Sequence, residues 1–263
     1  MTTASAQVPA PSLEFWPEAT LGMGLGVPVA IGGDLSPESL LAAHHHGVFC
    51  LPRSEADDLA EAEATYSPDV QTGDIPVLPS TANPYGTQWW SPYLRYVIPT
   101  DEIRLGRTVR KKIRGSSWTT RVNEDFTGVL DACRGDRKPR WITETLVDCL
   151  KDLHQDGWVK SIEVWEGGDL IGGLFGFALD QVFVMSSTFS RRPHAAKIAI
   201  ADLARRTDLG NIRLLDAQGH NDYTVSVGAR GIPRAEYLQR LGPAGPPGVL
   251  DEQPADARRL LVP

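Results

Sequence analysis

The chain is poor in cysteine, with only Cys50, Cys133 and Cys149 among its 263 residues. An odd number without metal-ligand spacing argues against a disulfide framework and predicts a reducing compartment. No apolar run is long enough to cross a bilayer. Met1–Glu14 has neither the basic start nor the apolar core of a secretory leader. The expectation is a cytoplasmic protein. A surplus of positive charge is also missing: the formal net charge of −7 gives no overall attraction to nucleic acid. What remains is the composition of a soluble globular protein, 41% hydrophobic and 22% charged, long enough for one large domain or two smaller ones.

One segment runs against the acidic balance. "RLGRTVRKKIRG" (Arg104–Gly115) carries Arg104, Arg107, Arg110, Lys111, Lys112 and Arg114 with no acid among them. It reads either as a solvated basic helix face or as a local phosphate-binding patch.

The N-terminal third is rich in turns. "GGDLSPESLLAAHHHGVF" predicts a turn and then a short helix. Ser36 is its N-cap, Pro37 its first residue, Leu40, Leu41 and Ala43 its inner side, and Gly47 its terminator. His44, His45 and His46 invite a metal hypothesis, but adjacent helical side chains diverge by about 100° and cannot share one ion well. No metal site is predicted. Residues 52–88, rich in Pro, Ser, Ala and acids, read as a long loop or insertion within a small N-terminal domain over residues 1–92.

Periodic signals are firmer after Trp89 and predict an α+β domain over residues 93–263. "LRYVIP" reads as a strand, and "WITETLVDCLKDLHQDGW" as a helix with Ile142, Leu146, Cys149, Leu150 and Leu153 on one face. Three strands follow in "VKSIEVWE", "DLIGGLFGFALD" and "QVFVMSS", then a helix in "PHAAKIAIADLARRTDLG". A strand ending in Asp216 and Gln218, a helix over "DYTVSVGA" and a closing strand at "YLQRL" complete the pattern. Residues 242–263 read as a loosely attached tail.

"LLDAQGHNDY" (Leu214–Tyr223) places Asp216, Gln218, His220, Asn221 and Asp222 directly behind two leucines. A surface turn would use such residues. If Leu214–Gln218 is extended, however, Asp216 and Gln218 point from one face and set a carboxylate beside an amide at a strand end.

The order of elements, with such a site on a late strand, resembles the acyl-CoA N-acyltransferase superfamily. Those enzymes cradle pyrophosphate with a Gly-rich turn at the start of the central helix. Here that turn reads "SRRPHAAK", without the glycines that close backbone approach needs, which disfavours a coenzyme A enzyme.

A more specific resemblance rests on "GGDLSPESLL…GVF", "WWSP", "WIT", "LHQDGWVKSIEVWEGGDLIGGLFG", "TFSR…AAK" and "DAQ…ND…SVGARGIPRAEYL". In this order they resemble the leucyl/phenylalanyl-tRNA–protein transferases, across most of the chain. The resemblance implies a small N-terminal domain and an N-acyltransferase-like C-terminal domain. It implies aminoacyl-tRNA as co-substrate, no cofactor, and an amide-forming reaction on a protein amino terminus bearing Arg or Lys. Asp216 and Gln218 match the family's Asp-x-Gln pair, which would orient the incoming amine, and Asn221 its following Asn. Trp141 and Phe183 match aromatics near the terminal adenosine. Leu174 and Leu215 match the apolar pocket for the aminoacyl side chain, expected to favour leucine. The basic run becomes a candidate contact for the acceptor stem.

The departures gather around the ligands. Cys50 and Leu51 stand where the family has Pro-Trp. Ser186 replaces a site carboxylate, Thr188 a pocket methionine, and Pro139 and Arg140 a Gly-Thr. Losing a carboxylate changes which cation a site holds. The expectation is therefore a substrate switch: leucine passed from tRNA to a small-molecule amine in an antibiotic pathway, a leucylated peptidyl nucleoside of the blasticidin type being one such product. The ordinary protein transferase is the alternative within the class. An acyl-CoA N-acyltransferase and a non-catalytic tRNA-binding relative are the alternatives outside it.

Overall fold

Ser36 caps a helix as its chemistry requires. In the computed structural model, which describes residues 26–80, 82–135 and 140–262, its hydroxyl accepts from the Ser39 amide at 3.2 Å and starts α1 (Pro37–His45). Gly47, at φ +70°, ends that turn. The readings of Met1–Glu14 and Pro139 lie outside the described residues.

The chain divides into two units, Met1–Ser91 with Pro139–Cys149, and Pro92–Lys138 with Leu150–Pro263. In the first, α1 is followed by α2 (Ala56–Thr72), and four short strands form a sheet: β1 (Ala30–Gly32), β2 (Phe49–Pro52), β3 (Val77–Leu78) and β4 (Thr87–Trp90). Their order is β2-β4-β1-β3; β1 and β3 run parallel and the other neighbours antiparallel. Trp89 anchors this sheet, 1% exposed, its indole N–H donating to the Gly32 carbonyl at 2.8 Å.

The loop expected over residues 52–88 is in large part helix. α2 holds 17 of those residues, with Asp57 and Asp58 in its first turn and Gly73 in the left-handed conformation at its end. Only Ala62 in it is buried. A helix without an apolar stripe gives no periodic signal, and its Ala and Glu content alone had to carry the reading.

The second unit is built on an eight-stranded sheet. Its strands are β5 (Leu94–Pro99), β6 (Trp118–Val122), β7 (Val159–Glu166), β8 (Asp169–Ala178), β9 (Val182–Ser190), β10 (Leu214–Asp216), β11 (Arg230–Pro233) and β12 (Ala255–Asp256). The order is β11-β5-β10-β9-β8-β7-β6-β12. Each of these neighbouring pairs is antiparallel except β9 and β10.

Five more helices belong to it: α3 (Arg107–Arg114), α4 (Phe126–Arg134), α6 (Ala195–Arg205), α7 (Asp222–Val225) and α8 (Arg234–Leu241). Another helix, α5 (Glu144–Gln155), follows α4 and runs from one chain segment into the next, with Leu146, Cys149, Leu150 and Leu153 all buried. Leu174 belongs to the cluster that includes Ile198, Ala199 and Leu203 of α6. Its neighbour Phe175 meets Phe126 of α4 edge-on, at 6.3 Å between ring centres. Alternation along β8 therefore gives the sheet a helix on each face. A Cβ at Gly172 would lie 2.4 Å from that of Ala195, so glycine there lets α6 approach β8.

Three local expectations are corrected. "YLQRL" is helical: Tyr237 and Leu241 are buried four residues apart, and Glu236 and Arg240 pair across one turn at 2.7 Å. The helix in "DYTVSVGA" is a single turn. The tail is anchored. Ala255 and Asp256 pair with Thr120 and Thr119, while Leu250, Ala257 and Leu260 are buried.

Candidate active site

β10 ends at Asp216, at the parallel seam of its sheet. Leu214, Leu215 and Asp216 stand opposite Val182, Phe183 and Val184 on one side and Pro99, Ile98 and Val97 on the other. Opposed residues share a face, so Asp216 points the way Val97 does, and so does Arg95, two residues before Val97. Asp216 is 0% exposed and Arg95 1%. The guanidinium Nε lies 3.1 Å from each carboxylate oxygen, and Nη2 donates to Oδ2 at 2.5 Å. This is the bidentate geometry in which Arg recognises carboxylate best.

Gln218 does not stand beside Asp216 as the extended reading supposed. Its backbone turns to φ +64°, outside the strand. Asp216 Oδ1 accepts the Gln218 amide N–H at 2.7 Å. Short polar side chains close turns this way two residues ahead. The chain on either side is also held by β5: Ala217 N–H donates to the Tyr96 carbonyl at 2.8 Å, and Tyr96 N–H to the Gln218 carbonyl at 3.2 Å. The carboxylate thus holds the backbone of Gln218, leaving its half-buried side chain as the part available to a substrate.

Tyr237 of α8 completes the buried cluster. Its ring lies 4.5 Å from the Arg95 guanidinium carbon. Burial, and then the neighbouring Asp216 carboxylate, push its hydroxyl well above the usual phenol range. Burial opposes the charge on Arg95, but Asp216 and Tyr237 together outweigh it and raise the guanidinium further. Burial and the nearby Arg95 charge lower Arg234.

Phe183 and Leu215 are neighbours across the β9–β10 seam, and Leu174 stands opposite Thr188. Leu174, Phe183 and Leu215 are each 0% exposed and belong to the core beneath α6. Side chains so placed are part of the packed core and present no surface to solvent. Ser186 is half-buried at a β-bulge: Met185 pairs with Gly176 and Ser187 with Phe175, which leaves Ser186 with no residue opposite it in the ladder. Bulges re-aim side chains, and they are frequent beside active sites. Asn221 caps α7, its side-chain oxygen accepting from Tyr223 N–H at 2.8 Å.

Leu51 and Trp141 belong to the other unit. Leu51 is half-buried on β2, opposite Gln88. Trp141, also half-buried, precedes α5 and its carbonyl accepts from Thr143 N–H at 3.1 Å.

Arg107–Arg114 of the basic run form α3, with Val109 and Ile113 buried beneath it and Arg104 just before it. Arg104, Arg107, Lys111 and Arg114 are exposed. The other two are engaged: Arg110 donates to the Leu261 carbonyl at 3.2 Å, and the Lys112 ammonium sits 4.5 Å over the Trp118 ring.

Sequence reasoning missed Arg95, Tyr96 and Tyr237. One signal was present for Arg95, a lone cation at an inward position of the apolar strand "LRYVIP". Nothing local pointed to its distant partner.

Residues 97–242 match the family model for leucyl/phenylalanyl-tRNA protein transferase. Curated relatives carry that name as well. One from Shewanella sp. (strain ANA-3) is 35% identical over 216 residues, 81% of this chain and 79% of its own. One from Xanthomonas axonopodis pv. citri (strain 306) is 36% identical over 217 residues, 81% and 76% of the two chains. One from Xylella fastidiosa (strain 9a5c) is 36% identical over 235 residues, 88% and 84%. By name these are tRNA–protein transferases. The chain belongs to the leucyl/phenylalanyl-tRNA–protein transferase family.

Proposed function

We propose that this protein transfers an apolar aminoacyl group, leucine foremost, from charged tRNA to the amino terminus of an acceptor protein. The observation that carries the reading is the Asp216–x–Gln218 turn at the end of β10, in a chain of this family. Aminoacyl-tRNA is an activated ester, so the reaction requires no further activation by a nucleotide. A neutral amine attacks the ester carbonyl, a C–N bond forms, and the C–O bond to the ribose breaks. The departing ribose oxygen takes up a proton, and the attacking amine loses one. The protein has to hold the amine in line and stabilise the transient oxyanion. The Gln218 carboxamide can accept a hydrogen bond from the amine, and an amide is too weak a base to take its proton at neutral pH.

The second unit is read as N-acyltransferase-like, because β9 and β10 are parallel neighbours joined through α6. The turn before α6 has no glycine, and His194 itself sits at φ +76°, which favours tRNA over coenzyme A as donor. The exposed cations of α3 are assigned to tRNA phosphates. Cys50, Cys133 and Cys149, all buried and none in a disulfide, fit a reducing compartment such as the cytoplasm. No helix among the described residues is long and apolar enough to cross a membrane.

A protein acceptor replaces the small-molecule acceptor as the first reading, since the three relatives are all named for protein transfer. The small amine, in an antibiotic pathway, stays as the second reading because Ser186 and Leu51 depart from the family pattern at half-buried positions. Labelled leucyl-tRNA offered with an Arg-ended protein and with small amines tests both readings. Protein labelling supports the first, small-molecule product alone supports the second, and product only from acetyl-CoA would overturn both.

A further inference from the structure

Asp216 is the acid of the site by resemblance, yet its oxygens are already engaged. Oδ1 accepts from Arg95 Nε and from the Gln218 amide, and Oδ2 accepts from Arg95 Nε and Nη2. A carboxylate saturated in this way, fully buried and bound to a guanidinium, has no lone pair directed at an incoming amine. What it does hold is a peptide group. Non-glycine residues adopt a positive φ only where their surroundings enforce it, and Gln218 is held at +64° by interactions that all trace back to β5. Arg95 orients the carboxylate that receives the Gln218 N–H. Tyr96 takes the Ala217 N–H and donates to the Gln218 carbonyl. The Tyr237 ring packs against the Arg95 guanidinium.

We propose that Arg95 is a positioning residue for the transfer reaction. It acts through Asp216 to hold Gln218 in its left-handed conformation, and Asp216 serves as a clamp rather than as the base. The proton lost by the attacking amine then leaves by water or by the departing ribose oxygen, not by way of Asp216. The inference rests on the proposed transfer activity and deepens it.

A small displacement of a group that aligns reactants can cost on the order of a hundredfold in rate. Arg95→Lys keeps the charge but loses the bidentate fork, so kcat should fall about ten- to a hundredfold. KM for charged tRNA should stay within about threefold, because a positioning loss falls on the transition state. A purely structural arginine would change the folded fraction instead, so rates are referred to folded enzyme measured by thermal melting. The discriminating readout is a cycle with Gln218→Ala. If Arg95 works through Gln218, adding Arg95→Lys to Gln218→Ala should change kcat by less than about twofold, the non-additivity of coupled residues. Should Arg95→Lys fail to fold, Tyr237→Leu, which removes the ring beneath the guanidinium and leaves the Arg95–Asp216 fork in place, is used in the same cycle. Equal kcat losses in both backgrounds, or unchanged kcat per folded molecule, would overturn the proposal. A wild-type enzyme without transfer activity would instead overturn the function on which it rests.

Discussion

Asp216 and Gln218 are two positions apart and should fail in different ways when changed. Asp216→Ala leaves Arg95 as a buried cation without its carboxylate, a kind of change that costs about 3–5 kcal/mol. Gln218 is half-buried and contributes its backbone, not its side chain, to the clamp. Gln218→Ala should therefore lower transfer activity while moving the denaturant midpoint little. Parallel activity and urea unfolding curves check this, and equal destabilisation by both variants would contradict it. Ser186 sets a second expectation. Serine offers no countercharge, so discrimination between Arg-ended and uncharged amino termini should be weak. Ser186→Glu should raise the kcat/KM ratio in favour of Arg by about tenfold or more, given ~1.5–3 kcal/mol for a charge-assisted hydrogen bond. Competition between two labelled peptides measures that ratio directly. Cys50 sets a third. Burial pushes its thiol up to about 12 from 9.0. The unfolded chain ionises first, so the stability this thiol contributes is complete below about pH 9 and is lost as pH rises toward 12. Cys50→Ala should lessen the decline in unfolding midpoint between pH 8 and 10, and an unchanged decline would exclude Cys50 as a source.

At the scale of the element, α3 carries a charge pattern that its fold divides. Six cations share one segment, but only Arg104, Arg107, Lys111 and Arg114 reach solvent freely. Arg110 is tied to the tail and Lys112 is stacked on Trp118. Reversing Lys111 and Arg114 to Glu should weaken tRNA binding and reduce the slope of log K against log salt by about one for each phosphate no longer neutralised. Reversing Arg110 and Lys112 should instead show mainly as reduced stability. If both pairs leave binding and slope unchanged, α3 is a solvated surface and the tRNA-binding cations lie elsewhere.

At the scale of the whole molecule, the C-terminal residues decide how the second unit closes. Arg206, fully buried, donates to Asp202 at 2.5 Å, to the carbonyls of Asp251 and Gln253 at 2.5 and 2.9 Å, and to Thr120 at 3.1 Å. Arg259 reaches the other Asp202 oxygen at 2.7 Å. One buried arginine thus joins α6, β6 and the last chain segment. Arg206→Met should cost about 3–5 kcal/mol, because the buried Asp202 keeps only Arg259 among the described residues and the carbonyls of Thr120, Asp251 and Gln253 lose a donor. Removing residues 243–263 should destabilise the unit comparably. A truncated chain that melts with the full one would show the tail to be dispensable.

Much of this protein was set by local sequence. Alternation and helical spacing placed β5, α5, β7, β8, β9 and α6, because each buries a continuous apolar face that leaves a period in the chain. The cap at Ser36 and the strand ending at Asp216 were readable for the same reason, as both are local chemistry. The motifs in order were enough to indicate the family. Tertiary structure alone decided the rest. α2 and the anchored tail have little apolar periodicity, and long-range hydrogen bonds hold the tail through Arg206. The site itself changed most, since nothing near Gln218 in the chain tells that a strand 121 residues before Asp216 supplies Arg95, and with it the backbone turn. A buried charge has to find its partner wherever folding brings one, and that pairing is a property of the packed sheet rather than of any stretch of sequence.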